Sequence, residues 1–171
     1  MYEKALAVDP TYAKALDSLG LIYSAEKDYD KAIVQFTRAL AVSPRYGDAL
    51  MNLGAAYHNK GEYAKAIDAY NQSLRISPGN PIVLKNLANI YNVIGAGYFN
   101  NGDWDRAVSN FIEALKYDPG SASTMTNIGS TYVNAGNTAK AVEYYTKALS
   151  LDPANAEARQ YLSQLSKVPR D

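Results

Sequence analysis

Five prolines set the frame for this chain. Pro10, Pro44, Pro78, Pro119 and Pro153 are separated by 34, 34, 41 and 34 residues. Each closes a similar run: "KALAVDP", "RALAVSP", "SLRISP", "EALKYDP" and "KALSLDP". Short units repeated at such a period cannot bury an apolar face alone, so they must stack on one another. Other landmarks keep the same register. Ala32, Ala66, Ala107 and Ala141 recur, and four residues beyond each stands Phe36, Tyr70, Phe111 or Tyr145. Twelve residues before each alanine stands Gly20, Gly54, Gly95 or Gly129, followed three residues later by Tyr23, Tyr57, Tyr98 or Tyr132.

Within each unit the apolar spacing is helical. Segments 13–26, 47–60 and 122–135 repeat apolar residues at i, i+3 and i+7, as do 30–42, 63–76, 105–117 and 138–151. Small residues at the glycine and alanine slots let paired helices approach closely, and the bulky rings fill the space beside them. Gly61-Glu62, Gly102-Asp103 and Gly136-Asn137 lie between paired helices. There the glycine stops one helix in the left-handed conformation and the polar residue caps the next. Lys27-Asp28 lacks that glycine.

The pattern Leu16-x-x-Leu19-Gly20-x-x-Tyr23, then Ala32-x-x-x-Phe36, then Pro44, resembles the tetratricopeptide repeat, a 34-residue helix–turn–helix unit. Leu16 stands where that family often has Trp. The resemblance covers nearly the whole chain. It implies an all-α fold, an α-solenoid of antiparallel helix pairs in a right-handed superhelix, with nine or ten helices and no strands. The chain then reads as a single array over 1–171: a half repeat at 1–10, repeats at 11–44, 45–78, 79–119 and 120–153, and a C-terminal capping helix at 154–167. Met1 to Val8 reads as a second helix without its partner, as in a fragment of a longer array. The last helix sets Ala158, Tyr161, Leu162 and Leu165 on one face against Arg159, Gln160, Ser163, Gln164 and Lys167 on the other.

The 41-residue gap has a physical reading. Leu84, Leu87, Ala88 and Tyr91 keep phase with Pro78, whereas Tyr91, Ile94, Gly95 and Tyr98 keep phase with Ala107. One heptad is duplicated. Seven residues drift an ideal helix by only about 20°, so the apolar face stays inward. The expectation is one helix over about 80–100, roughly 10 Å longer than its siblings. A break at Gly95-Ala96-Gly97 is the alternative.

Composition narrows the function. Lys+Arg and Asp+Glu are both 17, for zero formal net charge, which argues against binding nucleic acid through phosphate contacts. There is no cysteine and one histidine, His58, so thiolate and histidine-cluster metal sites are excluded. No apolar run approaches a membrane span of roughly 20 residues, and no signal segment is read in the chain. The pairs Asp28/Asp30 and Asp103/Asp105 read as caps with solvated charges. No catalytic constellation is found, and no metal or cofactor is expected. The chain reads as non-catalytic, and its compartment is not set by its sequence.

Asparagine marks the outer face of the first helices: Asn52, Asn59, Asn86, Asn89, Asn92, Asn127 and Asn134. Asn is a mediocre helix former. Asn52, Asn86 and Asn127 share one slot, immediately before Leu-Gly, Leu-Ala or Ile-Gly. An amide both donates and accepts, so a row of them can grip the backbone of an extended peptide. The arrangement resembles the asparagine ladder in the tetratricopeptide arm of O-linked N-acetylglucosamine transferases, with Ser18 and Tyr161 interrupting it. Alternatively, these amides bond between adjacent helices. In the peptide reading, changing all three to Ala leaves stability level or slightly higher. Lys85 and Asn89 resemble the start of the carboxylate clamp of tetratricopeptide co-chaperones, but Ser130, Glu157 and Tyr161 stand where the clamp needs Asn, Lys and Arg. The leading expectation is a protein-interaction scaffold that binds a protein or peptide segment in a concave groove, through these asparagines and Lys85. The alternatives are a self-assembly element, and the substrate-recruiting arm of a larger protein.

Overall fold

A computed structural model of the protein describes residues 12–165. The helical segments fold as helices α1 Ala13–Ala25, α2 Tyr29–Val42, α3 Gly47–Asn59, α4 Tyr63–Ile76, α5 Pro81–Asn100, α6 Trp104–Tyr117, α7 Ala122–Asn134, α8 Thr138–Leu151 and α9 Ala156–Leu165. The described residues thus hold nine helices and no strand, the all-α solenoid of helix pairs that the repeat implies. The half repeat at 1–10 and Lys167 lie outside the described residues.

Contacts divide the chain into two compact units, Met1–Asn86 and Leu87–Asp171. In both, one device joins the helices of a pair. A Cβ added at Gly20 would lie 2.5 Å from Phe36, at Gly54 2.7 Å from Tyr70, at Gly95 2.8 Å from Phe111 and at Gly129 2.9 Å from Tyr145. Each ring therefore lies directly on the glycine of its partner helix, and all four rings are buried. A second device is a cation over each repeat tyrosine. Lys31 lies 5.5 Å from the Tyr23 ring, Lys65 5.3 Å from Tyr57, Arg106 5.5 Å from Tyr98 and Lys140 5.0 Å from Tyr132. Each basic residue immediately precedes the repeat alanine, a sequence signal that the period alone did not bring out.

The turns within each helix pair follow the cap chemistry, with two departures. Gly61, Gly102 and Gly136 take φ of 76°, 75° and 75°. Asp28, Asp103 and Asn137 accept the backbone N–H of Lys31, Arg106 and Lys140 at 3.2, 3.2 and 3.1 Å. Glu62 does not cap α4. Its longer side chain reaches the ammonium groups of Lys60 and Lys65 instead, at 2.9 and 2.6 Å. The other departure is Lys27, which adopts φ 61° without being glycine. A left-handed L-residue costs roughly 1–2 kcal/mol. Lys27→Gly is therefore expected to raise stability by about 1 kcal/mol, read as a higher melting temperature; an unchanged or lower one would contradict the strain.

Helix α5 spans 20 residues, against 13 for α1, α3 and α7. It is continuous through Gly95-Ala96-Gly97. Gly95 packs on Phe111, whereas nothing lies within 4 Å of a Cβ at Gly97. In the second unit, Tyr91 stacks on Tyr117 with centroids 5.8 Å apart and planes within 7°. The last helix, α9, buries Ala158 against Ala141, Tyr145 and Ala148, with Tyr161 and Leu162 packed alongside. Its Arg159, Gln160, Ser163 and Gln164 are exposed.

Candidate functional site

Successive first helices are tied by a residue that leads into the later one. In the first unit the Tyr46 hydroxyl donates to Asp17 at 3.4 Å, and the Asn80 amide approaches the Met51 sulfur at 3.8 Å. In the second unit the Asn155 amide donates to Thr126 at 2.9 Å. Asp17, Met51 and Thr126 occupy equivalent places in α1, α3 and α7, so these ties recur with the repeat.

Against that frame, the asparagines separate into two groups. Asn52, half-buried on α3, donates its amide N–H to Asp17 at 2.9 Å. Asn86, half-buried, donates to the Tyr70 hydroxyl at 3.0 Å. In the second unit Asn92 and Thr124 are hydrogen-bonded at 2.9 Å, and Asn134 donates back to the Ser130 carbonyl one turn earlier at 2.8 Å. By contrast, Asn59 and Lys85 in the first unit, and Asn89 and Asn127 in the second, are exposed. Their side chains have no hydrogen-bond or ion-pair partner among the described residues. The three residues of the shared slot therefore do unlike jobs: Asn52 and Asn86 tie adjacent helices, and Asn127 presents its amide to solvent.

Asp17 explains why Asn52 turns inward. Asp17 is only 5% exposed. Burial pushes its carboxyl above the usual range, and the bonds from Asn52 and Tyr46 pull it back down. Removing a donor from a buried carboxylate leaves it under-satisfied, which costs about 1–3 kcal/mol. Asn52→Ala is accordingly expected to lower the unfolding free energy by that amount, measured by urea titration, although Ala is the better helix former. Asn127→Ala should change it by less than about 0.5 kcal/mol. Level stability for a triple Ala variant at Asn52, Asn86 and Asn127 is thus no longer expected. Equal effects at positions 52 and 127 would contradict this division.

The second unit carries a polar cluster where its sequence departs from the carboxylate clamp. Glu157 on α9 accepts hydrogen bonds from the Ser130 hydroxyl on α7 and, at 3.0 Å, from the Tyr145 hydroxyl on α8. Tyr145 is pushed up to about 12, chiefly by burial. Where a clamp would need a cation, this unit holds an anion fixed by two hydroxyls. On either flank of α7 lies a hollow. One, of about 160 Å³, is lined by Ala96 and Phe99 of α5, Phe111 of α6, and Asn127 and Ser130 of α7. The other, of about 290 Å³, includes Ser130, Tyr145, Glu157, Gln160 and Tyr161.

Elsewhere the first unit holds a wider hollow of about 1130 Å³ beside Tyr12, Pro44, Arg45 and Tyr46. It borders the first described residue, and no site is assigned to it. His58 is half-buried, its ring 5.9 Å from that of Tyr63, and burial lowers its pKa. No group of three or more His, Cys, Asp or Glu placed to hold a metal ion occurs among the described residues. Among them, too, no helix is long and apolar enough to cross a membrane.

Comparison with known proteins bears on this arrangement. Three tetratricopeptide-repeat family models match the chain, over residues 18–81, 86–154 and 1–34. A search of curated proteins found no match. Among solved structures, MamA is 26% identical with a TM-score of 0.61, the alignment covering 91% of this chain and 87% of that one. YrrB, described as a tetratricopeptide-repeat protein with an unusual peptide-binding site, is 22% identical with a TM-score of 0.54, covering 95% and 97%. A tetratricopeptide-repeat protein from Bacteroides fragilis is 19% identical with a TM-score of 0.66, covering 96% and 87%.

Proposed function

Since the chain belongs to the tetratricopeptide-repeat family, we propose that this protein-interaction scaffold grips an extended peptide segment on its first-helix faces. The observation that carries the proposal is the set of exposed, unpartnered amides at Asn59, Asn89 and Asn127. A helix face selected only for solubility would favour Glu, Lys and Gln, which form helices better. Amides that neither cap nor bond locally are free to pair with the N–H and C=O groups of a bound backbone. Lys85, exposed on the first unit, adds a cationic donor. Asn52, Asn86, Asn92 and Asn134 each keep an amide on the same helices, and the bonds of the first three to neighbouring helices hold those helices in place for the ligand. A framework already ordered before binding avoids part of the entropic cost of association. YrrB, which shares the fold, is described as having a peptide-binding site.

The self-assembly alternative rests on the unpaired first segment, with an apolar face on residues 1–8, and on the extended helix; residues 1–8 lie outside the described residues. Panning a randomised dodecapeptide display library on the immobilised chain tests peptide capture. Enriched sequences that bind as synthetic peptides at one site per chain are the expected result. No enrichment over bare resin would reject the reading.

A further inference from the structure

Glu157 and the two hollows beside α7 point to a more specific ligand. We propose that the second unit takes an extended peptide with a lysine or arginine at Glu157 and an apolar side chain in the hollow over Phe111. This rests on the peptide-capture reading and goes further by assigning the ligand's side-chain chemistry.

Three observations combine. First, among the described residues Glu157 is the only charged side chain lining either hollow. One carboxylate is therefore the only charge that either hollow presents to a ligand, within a chain of zero net charge. Second, the carboxylate is held in place without being neutralised. Ser130 and Tyr145 donate to one of its oxygens, Oε1. No Lys or Arg among the described residues forms an ion pair with it. Its other oxygen remains available to an incoming cation, and its geometry is set before the ligand arrives. Third, the opposite flank of α7 has an apolar floor of Ala96, Phe99 and Phe111 under the free amide of Asn127. At about 160 Å³ it admits one aliphatic side chain.

The two flanks also fix a spacing. Packed helices lie about 8–10 Å apart, and an extended chain advances about 3.3 Å per residue. A peptide crossing α7 therefore places its apolar and basic residues two or three positions apart. Between them, the Asn127 amide and the Ser130 region face the peptide backbone. The recognition is opposite in sign to a carboxylate clamp. An acidic segment meets the Glu157 charge and is disfavoured.

The test uses the full chain and the peptides that it enriches from the randomised library. The enriched set should carry Lys or Arg two or three residues from Leu, Ile, Val or Met. Titrated by fluorescence anisotropy, those peptides should bind Glu157→Gln about tenfold more weakly, the loss of one charge-assisted hydrogen bond. Their binding to the parent should weaken as salt is raised, and their binding to Glu157→Gln should respond to salt less. Gln keeps an oxygen for Ser130 and Tyr145, so the melting temperature should hold. As a control, Glu143→Gln, at an acid paired with Lys147 on α8, should leave affinity unchanged. Enriched peptides without a basic residue, or basic peptides that bind Glu157→Gln as well as the parent, would overturn this proposal while peptide capture stands. No enriched peptide at all would overturn both.

Discussion

Gly54→Leu should lower the unfolding free energy by about 3 kcal/mol, the upper part of the range for overpacking a filled site. For a chain of this size that is a fall in melting temperature of roughly 6–12 °C. A Cβ at Gly54 would meet two ring carbons of Tyr70 at 2.7 Å each. Tyr70 cannot swing away, because its ring is fully buried and its hydroxyl receives the Asn86 amide. The strain must therefore be relieved by parting α3 from α4. Gly97→Leu, with nothing within 4 Å of its Cβ, is the matched control, and its effect should be neutral or slightly favourable. Thermal melts of the two variants side by side check both the size and the site dependence. Equal melting temperatures would mean that the glycine slot is not a contact.

Phe111→Ala should cost about 3–5 kcal/mol, the usual range for emptying a buried aromatic site. The ring is 2% exposed and lies on Gly95, among Ala107, Ile128 and Tyr98. The adjacent Ile112 is 38% exposed, so Ile112→Ala should cost less than about 1 kcal/mol. Urea titration of both variants measures the difference. A small effect at position 111 would mean that the ring does not hold α5 to α6. It would also remove the floor of the hollow beside α7.

The fold was legible because each repeat places one residue type at one slot, and each slot has a single steric meaning. Glycine before tyrosine, alanine before a ring, and proline after a helix can each be read without a partner. The helix over 81–100 was legible for the same reason, since the Leu84–Tyr91 and Ile94–Tyr98 phases share one face. The site was less legible because its chemistry depends on which neighbour each polar group meets. Asn52 and Asn127 occupy the same slot, yet one turns to Asp17 and the other to solvent. The decisive residue, Asp17, sits in the preceding repeat; in the repeat before Asn127 the equivalent place, three before Gly95, holds Asn92, which pairs with Thr124 instead. No motif marks Glu157 in the sequence, where it stands at a place that a carboxylate clamp fills with a cation. Its partners Ser130 and Tyr145 become visible only once α7, α8 and α9 are packed together. Lys27 marks the opposite limit: its missing glycine was plain in the sequence, and the backbone adopted the glycine conformation all the same.

The proposed peptide capture depends most on the exposed amides. One variant, Asn59→Ala with Asn89→Ala and Asn127→Ala, tests them together. None of the three side chains bonds to another described residue, so the melting temperature should stay level or rise slightly, because Ala is the better helix former. Affinity for library-enriched peptides, measured by isothermal titration calorimetry, should fall. Each lost hydrogen bond is worth roughly 0.5–1.5 kcal/mol, so losing the two in the second unit weakens binding at least about fivefold. Unchanged affinity at unchanged stability would contradict the assignment of these faces to peptide binding.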